Sequence, residues 1–198
     1  MLTLALACLF SAQAADFSHA LHAKLKPECT SCHGKAATST KLEDNLLPAA
    51  EACQPCHESV QIKQPANTRL AKFDHAFHAR FGNIAPVIAV AIKADTYLGD
   101  GATRAPHLNT ANACAACHRG IESSTSVSAR NHHPEMADCL VCHNKIDPPF
   151  SCETCHGNDK TLKPATHTAR YIDTHTTKSE KLGCASCHGK SFSCQGCH

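Results

Sequence analysis

Fourteen of the fifteen cysteines in this chain fall into one pattern, CxxCH, repeated seven times in 198 residues. The units are Cys29-Thr-Ser-Cys32-His33, Cys53-Gln-Pro-Cys56-His57, Cys114-Ala-Ala-Cys117-His118 and Cys139-Leu-Val-Cys142-His143, followed by Cys152-Glu-Thr-Cys155-His156, Cys184-Ala-Ser-Cys187-His188 and Cys194-Gln-Gly-Cys197-His198. Only Cys8 stands outside the pattern. The spacing is the attachment signature of c-type haem: two thiols add to the two vinyl groups of one macrocycle, and the histidine that follows reaches the iron. Paired zinc knuckles and disulfide frameworks also use closely spaced cysteines, but neither needs a histidine after the second one. With 16 histidines in the chain, seven chance placements have a likelihood on the order of 10⁻⁸ from composition alone. The fourteen cysteines are therefore expected to carry seven covalent haems. His33, His57, His118, His143, His156, His188 and His198 are the expected proximal iron ligands.

Nine histidines remain: His19, His22, His75, His78, His107, His132, His133, His167 and His175. They lie mostly ahead of CxxCH units, and four of them recur in one context. Phe17-Ser-His19-Ala-Leu-His22 matches Phe73-Asp-His75-Ala-Phe-His78 as FxHAxH. Histidines three apart project from one side of a helical turn, so each can serve a different haem. Methionine is the other common distal ligand, but Met136 is the only one beyond the first residue. Bis-histidine ligation is the expected state, with the spare histidines as distal ligands.

Seven haems in the residues that follow position 14 amount to roughly one per 26 residues, and covalent cofactors then take the part that core residues and disulfides play in other small scaffolds. That accounts for a composition without Trp, with only two Tyr, and rich in small Ala and Cys. Gly, Pro, Ser, Thr and Asn interrupt most of the chain, which argues against long helices. The expected fold is mostly irregular, with short α-helices around the CxxCH units, a haem core and little β structure. The stretch Ile84-Ala-Pro-Val-Ile-Ala-Val-Ala-Ile92 is apolar and β-branched. It reads as a buried strand or a cover for a haem face, with a subunit contact as the alternative, and a small hairpin is expected near 84–103. Pro86 weakens a central strand, and the run is too short to span a bilayer.

The FxHxxH…CxxCH arrangement resembles the class III multihaem cytochromes c, the small triheme and tetraheme periplasmic proteins. The resemblance is clearest over residues 17–57 and weaker from residue 73 onward. It departs in the number of motifs and in residues 79–113, which have no counterpart. It implies that His19 faces the iron held by His33, that His22 serves another haem, that of His57 or a later one, and that adjacent haems lie close together.

The residues between each proximal histidine and the next cysteine number 19, 56, 20, 8, 27 and 5. The long gap divides the chain into a two-haem N-terminal unit, 15–72, and a five-haem C-terminal unit, 73–198. Ligands can cross between the two, so they are not read as independent domains. Residues 1–14 form a short apolar region ending in Ala12-Gln13-Ala14, which reads as an export signal. Cys8 lies inside it, and the residues before it match a lipidation site poorly. An exported protein in the periplasm or at the cell surface follows.

An iron with six filled positions cannot bind substrate but can pass an electron with little structural change. The reading is a heptahaem, low-potential electron carrier or wire that is not an enzyme and whose partners are other redox proteins. Two alternatives stand beside it. One is a subunit of an extracellular filament, with this chain as its own partner. The other is a reductase of nitrite, hydroxylamine or a sulfur oxyanion, which would need an open iron. The formal charge of +2 gives no basic footprint for nucleic acid, and no segment reads as transmembrane. With ionised propionates the oxidised holoprotein has a formal charge of about −5, suited to a basic partner surface.

Overall fold

The computed structural model describes residues 16–25, 28–60, 62, 70–127, 132–143, 152–157, 168–170, 185–187 and 189. The export-signal reading, Cys8, His167, His175, Cys184, His188, Cys194, Cys197 and His198 lie outside them. The described chain is mostly irregular and punctuated by short helices: α1 (His19–His22), α2 (Cys29–Cys32), α3 (His75–Ala79), α4 (Ala85–Lys93), α5 (Gly101–Arg104), α6 (Ala113–Cys117) and α7 (Met136–Leu140). Short 3-10 turns follow several of them. Among the described residues β structure is confined to isolated bridging, as between Leu70 and His156. No described helix is long and apolar enough to cross a membrane.

Apart from α4 the helices are four or five residues long, and several are single turns capped by a side chain. Ser18 caps α1 by accepting from the Leu21 amide at 3.3 Å, and Asp74 caps α3 by accepting from the Phe77 amide at 2.7 Å. Asn112 does the same for α6 from the Cys114 amide at 2.9 Å. Such side-chain caps satisfy donors that the helix itself leaves unpaired.

The stretch 84–92 corrects the expectation of a strand or hairpin. It folds as α4, the longest helix described. Pro86 sits in the first turn, where its missing N–H costs nothing. Ala85, Ile88 and Ala91 recur every three residues and are buried, while Val87 and Val90 face outward. That is one helical face, and the small alanines on it let the helix approach closely. Ala85, Ile88 and Ala91 form the core with Tyr97, Leu108, Ala116 and Ala137. Ala116 belongs to the third CxxCH unit and Ala137 to the helix that opens the fourth, so this core sets those two units against each other. Gly99 passes under it. A Cβ there would sit 2.8 Å from the Tyr97 ring and 2.9 Å from Ala137.

Contacts also run between segments distant in the chain. The Ala20 amide in α1 donates to the Ser124 carbonyl at 2.9 Å, and the Ala76 amide in α3 donates to the Ser39 carbonyl at 2.8 Å. Ser39 and Ser124 are both buried.

Candidate haem-binding centre

Each described CxxCH unit closes the same turn. The histidine amide donates to the carbonyl of the first cysteine at 2.9 Å for His33, 2.9 Å for His57, 2.8 Å for His118, 2.9 Å for His143 and 2.9 Å for His156. This is the i to i−4 bond of one helical turn. It puts the two cysteines, three apart, on one face and the histidine directly above the first. No disulfide joins the described cysteines. Loss of solvent and the neighbouring Cys29 raise the Cys114 thiol, and loss of solvent and the Asp138 carboxylate raise Cys117. The same two causes, with Cys155 and Cys117, push Cys139 up to about 11. Metal-binding thiolates need the opposite shift.

Five of the imidazoles are held in one tautomer. A carbonyl oxygen only accepts, so the nitrogen facing it carries the proton. His33 Nδ1 donates to the Leu46 carbonyl at 2.8 Å and His118 Nδ1 to the His132 carbonyl at 3.0 Å. His22 Nδ1 donates to the Ser18 carbonyl at 2.8 Å and His78 Nδ1 to the Asp74 carbonyl at 2.7 Å. His132 Nδ1 donates to the Arg119 carbonyl at 2.9 Å. In each case Nε2 is left as the lone-pair donor, the arrangement that orients histidines at metal sites. The Nδ1 atoms of His19 and His75 are buried without a hydrogen-bond partner.

The rings then meet in pairs. His19 and His33 lie 6.4 Å apart with planes 13° from parallel. His22 and His57 lie 6.3 Å apart at 42°, and His78 and His143 lie 6.3 Å apart at 43°. Two imidazoles bound through Nε2 on opposite sides of one metal, at metal–nitrogen lengths of about 2.0–2.1 Å, have centroids about 6.3–6.4 Å apart. The residues present therefore fit an axial bis-histidine set, with a planar macrocycle between the rings. His133 also approaches His118, at 5.8 Å and 79°, closer and more crossed than the other three pairs. Among the described residues, no three His, Cys, Asp or Glu side chains converge on one metal-sized point.

Phenylalanine is the structural partner in both FxHAxH segments. Phe17 stacks on His22 at 4.4 Å and meets His19 edge-on at 4.8 Å. Phe73 stacks on His78 at 4.5 Å and meets His75 edge-on at 4.6 Å. One ring thus orients two imidazoles aimed in different directions. Leu21 and Leu25 in the first segment, and Phe77 and Phe81 at the matching positions of the second, are exposed. They supply apolar surface beside the paired histidines, as a macrocycle face requires.

Burial lowers His19, His75 and His133, with neighbouring histidines adding to the effect. His118 falls to about 4: burial lowers it most, and His133, His75 and His33 lower it further against its bond to the His132 carbonyl. Each shift favours the neutral ring, the form that ligates a metal. His107 ends a 3-10 turn and lines an open cleft with Thr110, Ala115 and Glu122 beside the third CxxCH unit. Among the described rings it has no histidine counterpart at the 6.3–6.4 Å spacing.

The sequence reading missed a buried polar network between the third and fourth units. Arg119, directly after His118, forms an ion pair with Asp138, directly before Cys139. Their side chains are each 3% exposed. The Tyr97 hydroxyl donates to Asp138 at 2.9 Å, and Arg119 donates to the Ala116 carbonyl at 3.0 Å. Burial, then the Asp138 carboxylate, raises the Tyr97 phenol well above its usual range. A charged residue flanking each of two neighbouring motifs was the available signal. It carries no weight until the fold brings the two together.

Residues 6–85 match the class III cytochrome C family. The match covers both FxHAxH segments and the first two CxxCH units and stops before the remaining five. Together with the paired imidazoles and the repeated CxxCH turn, it shows the chain to be similar to the multihaem class III c-type cytochromes. Comparison with curated proteins and with solved structures returns no match.

Proposed function

We propose that this protein is an exported heptahaem electron carrier of low potential, working in the periplasm or at the cell surface between other redox proteins. The observation that carries the reading is the spacing of His19/His33, His22/His57 and His78/His143. At these three sites it suits imidazoles on both sides of an iron and leaves no axial position for a substrate. Bound haem supplies one-electron chemistry, and bis-histidine ligation gives a lower potential than His/Met ligation. The cysteines Cys29, Cys32, Cys53, Cys56, Cys114, Cys117, Cys139, Cys142, Cys152, Cys155, Cys184, Cys187, Cys194 and Cys197 tether the groups. His22 and His78 are locked by their carbonyl and phenylalanine partners, so neither has to reorganise when the charge on an iron changes. His118 takes its distal imidazole from the cluster of His75 and His133.

The test is intact-mass measurement of the mature protein after acid–acetone extraction, beside carbon monoxide titration and turnover assays with nitrite, hydroxylamine and sulfite. Seven retained haems, no carbon monoxide binding and no turnover are expected. Fewer haems, or rapid reduction of any of the three substrates, overturns the reading.

A further inference from the structure

The matching features of the two FxHAxH segments extend well beyond the segments themselves. In the first, Phe17, His19 and His22 precede a CxxCH unit at Cys29–His33 and a second at Cys53–His57. In the second, Phe73, His75 and His78 precede units at Cys114–His118 and Cys139–His143. Ala20 and Ala76 occupy the same place within FxHAxH. Ser39 and Ser124 each follow the first histidine of their CxxCH pair by six residues, and each turns its hydroxyl onto the carbonyl two residues on. His33 and His118 donate Nδ1 to carbonyls 13 and 14 residues later. His22/His57 and His78/His143 repeat the same separation and angle, 6.3 Å at 42° and 6.3 Å at 43°. The two backbone bonds that join the sets are exchanged: Ala20 of the first binds Ser124 of the second, and Ala76 of the second binds Ser39 of the first. Reciprocal contacts of this kind are the mark of a two-fold relation between like units. The first cysteines of the two sets meet where that relation requires. Asn112 Nδ2 lies 3.5 Å from Cys29 Sγ while its Oδ1 caps the Cys114 amide.

We propose that residues 73–78 with 112–143 are a second copy of 17–57, and that the copies join through Cys29–His33 and Cys114–His118, the point where electrons cross between them. The inserted segment 82–110, which carries α4 and Tyr97, has no counterpart in the first copy and packs beside the second. The order of sites in space is then His57, His33, His118, His143, which differs from their order along the chain. The crossing moves one electron: one iron goes from ferrous to ferric as its neighbour goes from ferric to ferrous, and no bond forms or breaks.

The proposal rests on the haem reading above, so its test uses protein already shown by mass to carry seven haems; a failed mass count refutes that reading, and a failed contact map refutes this one. In the fully reduced, diamagnetic holoprotein, two-dimensional NMR assigns each macrocycle through its thioether protons to Thr30–Ser31 or to Ala115–Ala116. Proton–proton cross-peaks are expected between the macrocycles at Cys29/Cys32 and Cys114/Cys117. Asn112→Ala removes the amide bridge without touching an attachment residue, and should weaken those cross-peaks while leaving those within the His22/His57 and His78/His143 sites unchanged. Absence of any cross-peak between the Cys29/Cys32 and Cys114/Cys117 macrocycles in the unmodified protein overturns the proposal.

Discussion

The rings of His78 and His143 face each other across 6.3 Å at 43°, although nothing local in the chain links them. His78 is held from behind by the Asp74 carbonyl and from the side by Phe73, so its aim is set by groups of its own segment. Removing the ring should open one axial position and leave the covalent tether intact. His78→Ala and His22→Ala are each expected to keep all seven haems by mass while one haem becomes high-spin and binds carbon monoxide stoichiometrically. Optical titration with carbon monoxide reads this directly. A His78→Ala protein whose haems all stay low-spin would show that the pair is not an axial set.

His75 and His133 compete for the same role at His118. In the duplicated arrangement His75 holds the place of His19, whereas His133 holds the place of Leu47 and lies crossed to His118 at 79°. His75→Ala is therefore expected to yield one high-spin haem, and His133→Leu none. Magnetic circular dichroism of the two variants separates them; the reverse pattern assigns His133 as the ligand.

The Arg119–Asp138 pair is buried, and breaking such a pair by removing one partner leaves a buried charge that costs about 3–5 kcal/mol. Arg119→Leu is expected to lower the stability of the holoprotein by that order in guanidinium titrations. Replacing both residues, Arg119→Leu with Asp138→Leu, should recover a large part of the loss. A single substitution within about 0.5 kcal/mol of the unmodified protein, the range of ordinary surface changes, would mean the network does not hold the third and fourth units together.

Tyr97 gives this network a pH dependence. Its folded pKa is raised above the unfolded value of about 10, because burial and the Asp138 carboxylate favour the neutral phenol. A raised folded pKa stabilises the folded state fully below pH about 10, and the contribution is lost as pH rises from there toward the folded value. Tyr97→Phe should therefore be less stable at pH 8 by about 1.5–3 kcal/mol, the worth of a hydrogen bond to a charged group. The difference should narrow as pH climbs beyond 10. Denaturant midpoints between pH 8 and 11 test this, and a constant difference would exclude the phenol as the titrating group.

The parts of this protein that need only a few consecutive residues were legible without a structure. CxxCH encodes its own helical turn, because a bond from the histidine amide to the first cysteine carbonyl follows from the spacing. FxHAxH likewise carries its cap, its stacked phenylalanine and its two divergent imidazoles within six residues. The run 84–92 was misjudged because its β-branched residues suit a strand, whereas the alanines at 85 and 91, with Pro86 in the first turn, suit a close-packed helix. Only burial against Ala116 and Ala137 decided between the two.

Tertiary structure alone chose the partners. Spacing separates the seven CxxCH imidazoles from the nine spare ones, but which spare ring faces which depends on backbone bonds between distant segments, Ala20 to Ser124 and Ala76 to Ser39. The same holds for Tyr97, Arg119 and Asp138, which are ordinary surface types until α4 and α6 enclose them. Local spacing determined the shape of each motif, because helical geometry acts over a single turn. The fold determined how the motifs are arranged among themselves, because packing and reciprocal hydrogen bonds act across the whole chain.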